Sequence, residues 1–145
     1  MKKQNVLFLC TANSARSQMA EALLRHKAGD RFDVFSAGLE PGSVNPFAIR
    51  AVGELGISME GQWSKGVKEY LGRLPVRYLI TVCDGAAKRC PAIWPGAQER
   101  MHWSVNDPAA APGSDEEKLE AFRKARDELS SRLDAWLAGL KPTQK

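Results

Sequence analysis

Two short runs constrain the fold more than any other feature of this chain. Asn5–Leu9 (NVLFL) and Tyr78–Val82 (YLITV) are apolar or β-branched at almost every position. A strand wetted on one face alternates, whereas a continuous run such as YLITV fits a strand covered on both faces. Helical stretches lie between the strands. Met19, Leu23 and Leu24 recur at helical spacing up to Ala28-Gly29, and Phe32–Ser36 alternates as a second strand closed by Ala37-Gly38. Asn45-Pro46 is a helix start, Asn as cap and Pro in the first turn, with Ile49, Val52 and Leu55 as the apolar stripe before Gly56. Lys65–Leu71 reads as a further short helix and Arg100–Trp103 as a fourth strand. Ser114-Asp-Glu-Glu117 is a capping box opening a long helix, with Leu119, Phe122, Leu129, Leu133, Trp136 and Leu140 on one side. This order predicts a three-layer α/β sandwich: a four-stranded parallel sheet with helices on both faces. Ligands in such sheets bind outside the carboxyl ends of the strands, where Cys10 and Cys83 both fall.

Composition narrows the class. The 145 residues fit one domain, 1–145, with 43% apolar and 26% charged residues, ordinary values for a globular chain. No repeats, linkers or low-complexity tracts interrupt it, and Pro108–Gly113 reads as a loop. No apolar run approaches a membrane span, and Met1–Leu9 is too short for a signal peptide, so a cytoplasmic protein off the membrane is expected. Three cysteines agree, since secreted disulfide scaffolds of this size usually carry more, in even number. The net charge of +4 suits an anionic substrate as well as an ordinary soluble protein. No dense basic stripe points to nucleic acid.

The segment VLFLCTANSARSQMAEALLR, Val6–Arg25, carries the chemistry. Between Cys10 and Arg16 stand Thr11, Ala12, Asn13, Ser14 and Ala15, all small or polar, which lets the backbone curl until its N–H groups converge. The helix that follows brings a partial positive charge to the same place. A thiol there ionises more readily, and an anion beside it is held by the same amides and by Arg16. Ser17 follows as a hydroxyl able to hydrogen-bond a thiolate. The nucleotide-binding glycine motifs are missing from the sequence. Asp107, in HWSVNDPA, is the candidate acid: a thiolate and a bound anion favour its protonated form, which can then donate to a leaving oxygen. Asn106-Asp107-Pro108 equally suits a plain turn. His102 reads as a local hydrogen-bonding residue.

Cys83 and Cys90 remain. Cys83 could be a small buried hydrophobe at a strand end, and a metal knuckle would need closer spacing and a fourth ligand. Were Asp84–Arg89 helical, the two cysteines would share a face about 10 Å apart along the axis. A disulfide needs Cα atoms within about 7 Å, so bridging them requires the segment to loop out. Gly85 and Pro91 make it marginal enough to do so, and such a pair can be displayed to a reductant.

Together Cys10–Ser17 (CTANSARS), Ser36–Gly38 (SAG), Val44–Pro46 (VNP), the Cys83/Cys90 pair and HWSxxDPA resemble the thioredoxin-coupled arsenate reductases of the low-molecular-weight tyrosine phosphatase superfamily. The resemblance runs from Val6 to the last helix. It implies that Cys10 attacks arsenate, or a phosphate-like oxyanion, held by residues 11–17, while Asp107 protonates the departing oxygen. It implies a Cys10–Cys83 disulfide on release of arsenite, then a Cys83–Cys90 disulfide that thioredoxin or a similar dithiol protein reduces. Arsenate to arsenite takes two electrons, one dithiol's worth. No cofactor is expected besides that donor, and the chain is expected to be monomeric, with weak residual phosphatase activity.

The sequence also departs from the family. Ala12 stands where glycine is common, so the first turn of the loop must suit a Cβ. Some relatives bind potassium near Asn13, Glu21 and Ser36 with further ligands downstream, where this chain has Trp63 and Lys65; a lysine ammonium can replace the ion's charge, and no metal is expected. Neither of the two tyrosines, Tyr70 and Tyr78, lies near Asp107 in sequence, unlike the paired tyrosines common in phosphatase members. Two other readings stay open: a phosphatase using Cys10, Arg16 and Asp107 with protective Cys83 and Cys90, and a non-enzymatic anion-binding or metal-sensing module.

Overall fold

The computed structural model describes residues 3–82 and 97–140. Strands β1 (Gln4–Cys10), β2 (Phe32–Gly38), β3 (Tyr78–Thr81) and β4 (Glu99–His102) form one sheet in the order β2-β1-β3-β4, every pair parallel. Helices α1 (Arg16–Ala28), α2 (Pro46–Gly53) and α3 (Asp115–Gly139) accompany them, with 3-10 turns at Val67–Glu69 and Pro108–Ala110. This is the expected fold class.

Both faces of the sheet are covered, as the unbroken apolar runs require. Val6, Leu7, Phe8 and Leu9 are consecutive and all inaccessible to solvent. Successive strand side chains point to opposite faces, so Phe32 and Phe35 of β2 report on different sides. Phe32 stacks on Trp136 of α3 with centroids 5.5 Å apart, and Trp136 also meets Tyr78 and Trp103 edge-on. Phe35 instead meets Tyr70, which follows the first 3-10 turn. β4 closes the open side as an edge strand, and its exposed Glu99 and Arg100 discourage further pairing there.

Local sequence explains the helix ends. Asn45 accepts the Phe47 N–H with Pro46 at the first helical position of α2. Ser114 and Glu117 form the reciprocal capping box of α3. Leu119, Phe122, Leu129 and Leu133 of α3 are buried as expected, Trp136 partly so, and Leu140 stands just past the helix as its C-cap.

Two expectations require correction. The buried face of α2 is Ala48, Ala51 and Val52, while Ile49 and Leu55 are nearly half exposed. Alanines let α2 lie close to α3, with Phe47 against Phe122 at 5.6 Å, and that turns Ile49 outward. The segment Lys65–Leu71 is no full helix. Its only helical part is the turn Val67–Glu69, because Lys65 and Gly66 are drawn alongside the end of β2 by the Gly38 N–H to Lys65 O bond and the Gly38–Gly66 bridge.

Candidate functional site

Cys10 ends β1 opposite Gly38 and is almost fully buried. The next five residues are wrapped by the chain that leaves β2. Leu39 N–H donates to Cys10 O, Glu40 N–H to Thr11 O, Gly42 N–H to Ala12 O and Asn45 N–H to Ser14 O, at 2.8–3.2 Å. Gln18 Nε2 supplies Asn13 O at 3.1 Å. All five carbonyls from Cys10 to Ser14 are therefore taken from outside. In a planar trans peptide the amide points opposite to its carbonyl, so the amides that follow turn toward the inner side of the loop.

The start of α1 completes that inner surface. Its cap residue, Ala15, offers no side-chain acceptor, and no acidic residue stands in the first turn. Among the described residues the other two α-helices are capped by side chains, as described above, whereas α1 has no side-chain cap and its leading amides and dipole can serve an anion. Arg16 lies over the same surface. Its Nη1 donates to Val105 O at 2.9 Å and its Nη2 is 3.8 Å from Asp107 Oδ2. Its Nε is buried with no hydrogen-bond partner, a donor that an oxyanion would satisfy.

Asp107 is half exposed. Its Oδ1 accepts the Ala109 N–H at 3.0 Å and caps the second 3-10 turn, while Oδ2 faces Arg16. The turn and the candidate acid are one arrangement, since the cap fixes which oxygen faces the pocket. His102 holds a local bond, Nδ1 to Thr81 Oγ1 at 2.8 Å, as expected.

The loop turns at Asn13, whose φ of 50° makes it the one non-glycine residue with positive φ among those described. Asparagine tolerates that region. Ala12 lies outside it, so the backbone there accommodates its Cβ. Asn13 is inaccessible to solvent and tied on every side: Nδ2 donates to Ser17 Oγ at 2.8 Å, and Oδ1 accepts from Gln18 Nε2 at 2.9 Å and from the Lys65 backbone N–H at 2.7 Å. Ser17 thus accepts from Asn13 and keeps its own proton to donate. Ser64 adds a brace, accepting from Gly42 N–H and donating to Ala12 O, both at 3.0 Å.

Gln18, Gln62 and Ser64 were not foreseen as part of the site. Gln18, Glu21 and Arg25 recur at helical spacing and mark a polar stripe on α1, a signal that a buried network exists there. Gly38 bears on the loop in another way. A Cβ built on it would lie 2.7 Å from Asn13 N and Thr11 O and 2.9 Å from Ala12 C, all backbone. Gly38→Ala is expected to push the loop aside, lowering stability by about 1–3 kcal/mol and weakening phosphate binding. Urea unfolding and phosphate titration of the variant check both effects.

The monovalent ion implied by the resemblance does not fit the residues present. Asn13, Glu21 and Ser36 are together, but Glu21 already takes the Ser36 hydroxyl and the Arg25 guanidinium, and the Lys65 ammonium is 3.7 Å from its Oε1. Among the described residues no three or more His, Cys, Asp or Glu side chains gather to hold a metal, and no helix is long and apolar enough to cross a membrane. Cys83 and Cys90 lie outside the described residues. Val82, just before Cys83, donates its N–H to Leu9 O at 3.0 Å, just before Cys10.

A thiol at a helix N-terminus under a guanidinium is expected to react at lower pH than an ordinary thiol. Iodoacetamide should therefore alkylate Cys10 well below pH 8, with phosphate protecting it. A Cys10 with ordinary reactivity and no protection would contradict the cradle geometry.

Known proteins resemble this chain in sequence and in fold. Residues 5–145 match the family model "Low molecular weight phosphotyrosine protein phosphatase". An arsenate reductase of Halalkalibacterium halodurans is 45% identical over 133 residues, covering 92% of this chain and 94% of that protein. A solved arsenate reductase in a phosphate-binding state superimposes with a TM-score of 0.80 at 30% identity, covering 95% of this chain and 99% of that one. A tyrosine phosphatase of Erwinia amylovora has the same fold, with a TM-score of 0.80 at 19% identity, covering 97% of this chain and 95% of that one. Since the match begins within β1 and runs to the last residue, this chain belongs to the low molecular weight phosphotyrosine protein phosphatase family.

Proposed function

We propose that this chain reduces arsenate to arsenite through Cys10, Cys83 and Cys90 in turn, with thioredoxin or a similar dithiol protein as electron donor. The observation that supports the reading is the loop after Cys10 at the carboxyl end of β1, whose carbonyls are engaged by other residues, together with the buried Arg16 Nε that has no hydrogen-bond partner. Similarity to arsenate reductases along nine-tenths of the chain supplies the substrate class.

The Cys10 thiolate attacks arsenic, and a hydroxyl of the arsenate leaves as water with the one further proton that Asp107 delivers. The Cys83 thiolate then attacks the Cys10 sulfur. An S–S bond forms, the S–As bond breaks, and its electron pair stays on arsenic, which departs as arsenite. The Cys90 thiolate attacks the Cys83 sulfur, restoring the Cys10 thiolate and leaving a Cys83–Cys90 disulfide. Thioredoxin reduces that disulfide and is oxidised in exchange. The bond between Val82 and Leu9 supports the second step, because it joins the residues that immediately precede these two cysteines.

Phosphate and arsenate are both tetrahedral oxyanions, so weak phosphatase activity accompanies this reading. The tyrosines give no support to aryl phosphate as the main substrate: Tyr78 is packed against Trp136, and Tyr70 against Phe35 on the other face of the sheet. The test is steady-state arsenate reduction with purified thioredoxin and its reductase. Arsenate-dependent turnover is expected, and its absence beside efficient phosphate-ester hydrolysis would favour a phosphatase.

A further inference from the structure

Beneath the cradle lies a buried polar group whose charge the reaction does not use. Lys65 is 4% exposed and Glu21 is 5% exposed. The Lys65 ammonium is 3.7 Å from Glu21 Oε1 and donates to Trp63 O at 2.7 Å. The Trp63 ring lies 5.4 Å from the same ammonium. Trp63 O also accepts from Gln18 Nε2 at 2.9 Å, the nitrogen that holds both acceptors of Asn13. Within the same residue the Lys65 N–H reaches Asn13 Oδ1 and the Lys65 carbonyl accepts from Gly38.

Burying an ammonium is unfavourable unless something compensates it. Desolvation lowers the pKa of Lys65 below that of an ordinary amine, while the charge of Glu21 pulls it back up. A methionine would fill similar volume without the penalty, so packing alone does not explain a charged residue here. Glu21 is also paired with Arg25, so what a neutral side chain could not do is donate a charged hydrogen bond to the Trp63 carbonyl, which Gln18 shares, from beside that carboxylate. Along that line of bonds the ammonium bears on Asn13, the turn that aims the loop amides.

We propose that Lys65 is a positioning residue whose ammonium serves as a resident cation, fixing the Asn13 turn and making anion binding independent of added potassium. The inference rests on the anion-cradle reading, though not on arsenate reduction.

The experiment measures phosphate affinity from the protection of Cys10 against iodoacetamide, in potassium chloride and in choline chloride at equal ionic strength. The native protein is expected to bind phosphate equally in both salts, and tightening of about tenfold in potassium would overturn the proposal. In choline, Lys65→Ala is expected to bind phosphate about tenfold more weakly, the size of effect a lost charge-assisted bond gives. Potassium or methylammonium should restore that affinity by occupying the vacated space. Undiminished binding by the variant in choline, or a loss that neither cation restores, would overturn the resident-cation role. If Lys65→Ala does not fold, the comparison of the native protein in the two salts decides alone. Failure of phosphate to protect the native Cys10 in either salt would overturn the cradle reading itself, and the proposal with it.

Discussion

Cys90→Ala is expected to release one burst of arsenite stoichiometric with enzyme and then stop, even with thioredoxin and its reductase in excess. The first two steps use only Cys10 and Cys83, so arsenic still receives its electron pair. The oxidation then remains as a Cys10–Cys83 disulfide, with one of its sulfurs at the almost fully buried Cys10 position. Thiol–disulfide exchange requires the attacking thiolate to reach a sulfur, and a dithiol protein meets a shielded bond poorly. In the proposed relay Cys90 is the residue that moves the disulfide away from the pocket. Rapid mixing with arsenate, followed by arsenite quantification over many turnovers, separates the burst from the steady state. Hydrolysis of a phosphate ester by the same variant should continue, since it needs only Cys10, Arg16 and Asp107. Sustained arsenite production by Cys90→Ala would remove the relay and leave a single-cysteine mechanism.

The parts of this design that were legible in the sequence are those set by neighbours along the chain. The strand, small-residue loop and helix from Val6 to Arg25 could be read directly, because strand ends and helix starts are local events. The capping box at Ser114 was legible for the same reason. Features decided by distant partners were not. Ile49 looked like part of the apolar stripe of α2, yet its orientation depends on the approach of α3. Lys65–Leu71 has helical composition, but bonds from Gly38 hold its start extended. Gln18 and Gln62 look like solvent-facing helix and loop residues. They are joined instead by the bond from Gln62 Nε2 to Gln18 Oε1 at 2.7 Å, in a layer that only the folded loop creates. At the site itself Cys10 and Arg16 could be proposed from residue type and context and Asp107 only with the family resemblance beside them, whereas the engagement of most loop carbonyls depends on residues 39–45, which no spacing near Cys10 discloses.

Arg16→Lys keeps the positive charge and is nevertheless expected to reduce arsenate turnover about 10²–10³-fold, the usual consequence of losing a preorganised donor at an oxyanion site. The guanidinium works at several points at once. Nη1 is anchored on Val105 O, Nη2 faces Asp107, and Nε is the buried donor without a partner. Val105 lies two residues before Asp107, so the side chain proposed to hold the anion also locates the loop bearing the proposed acid. A lysine is a single point charge on a flexible stem and cannot hold Val105 O while presenting a second fixed donor to the anion. The loss should therefore appear in kcat as well as in phosphate protection of Cys10, because both anion and acid are displaced. Folding stability should change far less, since the aliphatic stem and the charge are both kept. Retention of kcat/KM within about tenfold by Arg16→Lys would show that charge alone suffices, and that the forked geometry of Arg16 plays no part in catalysis.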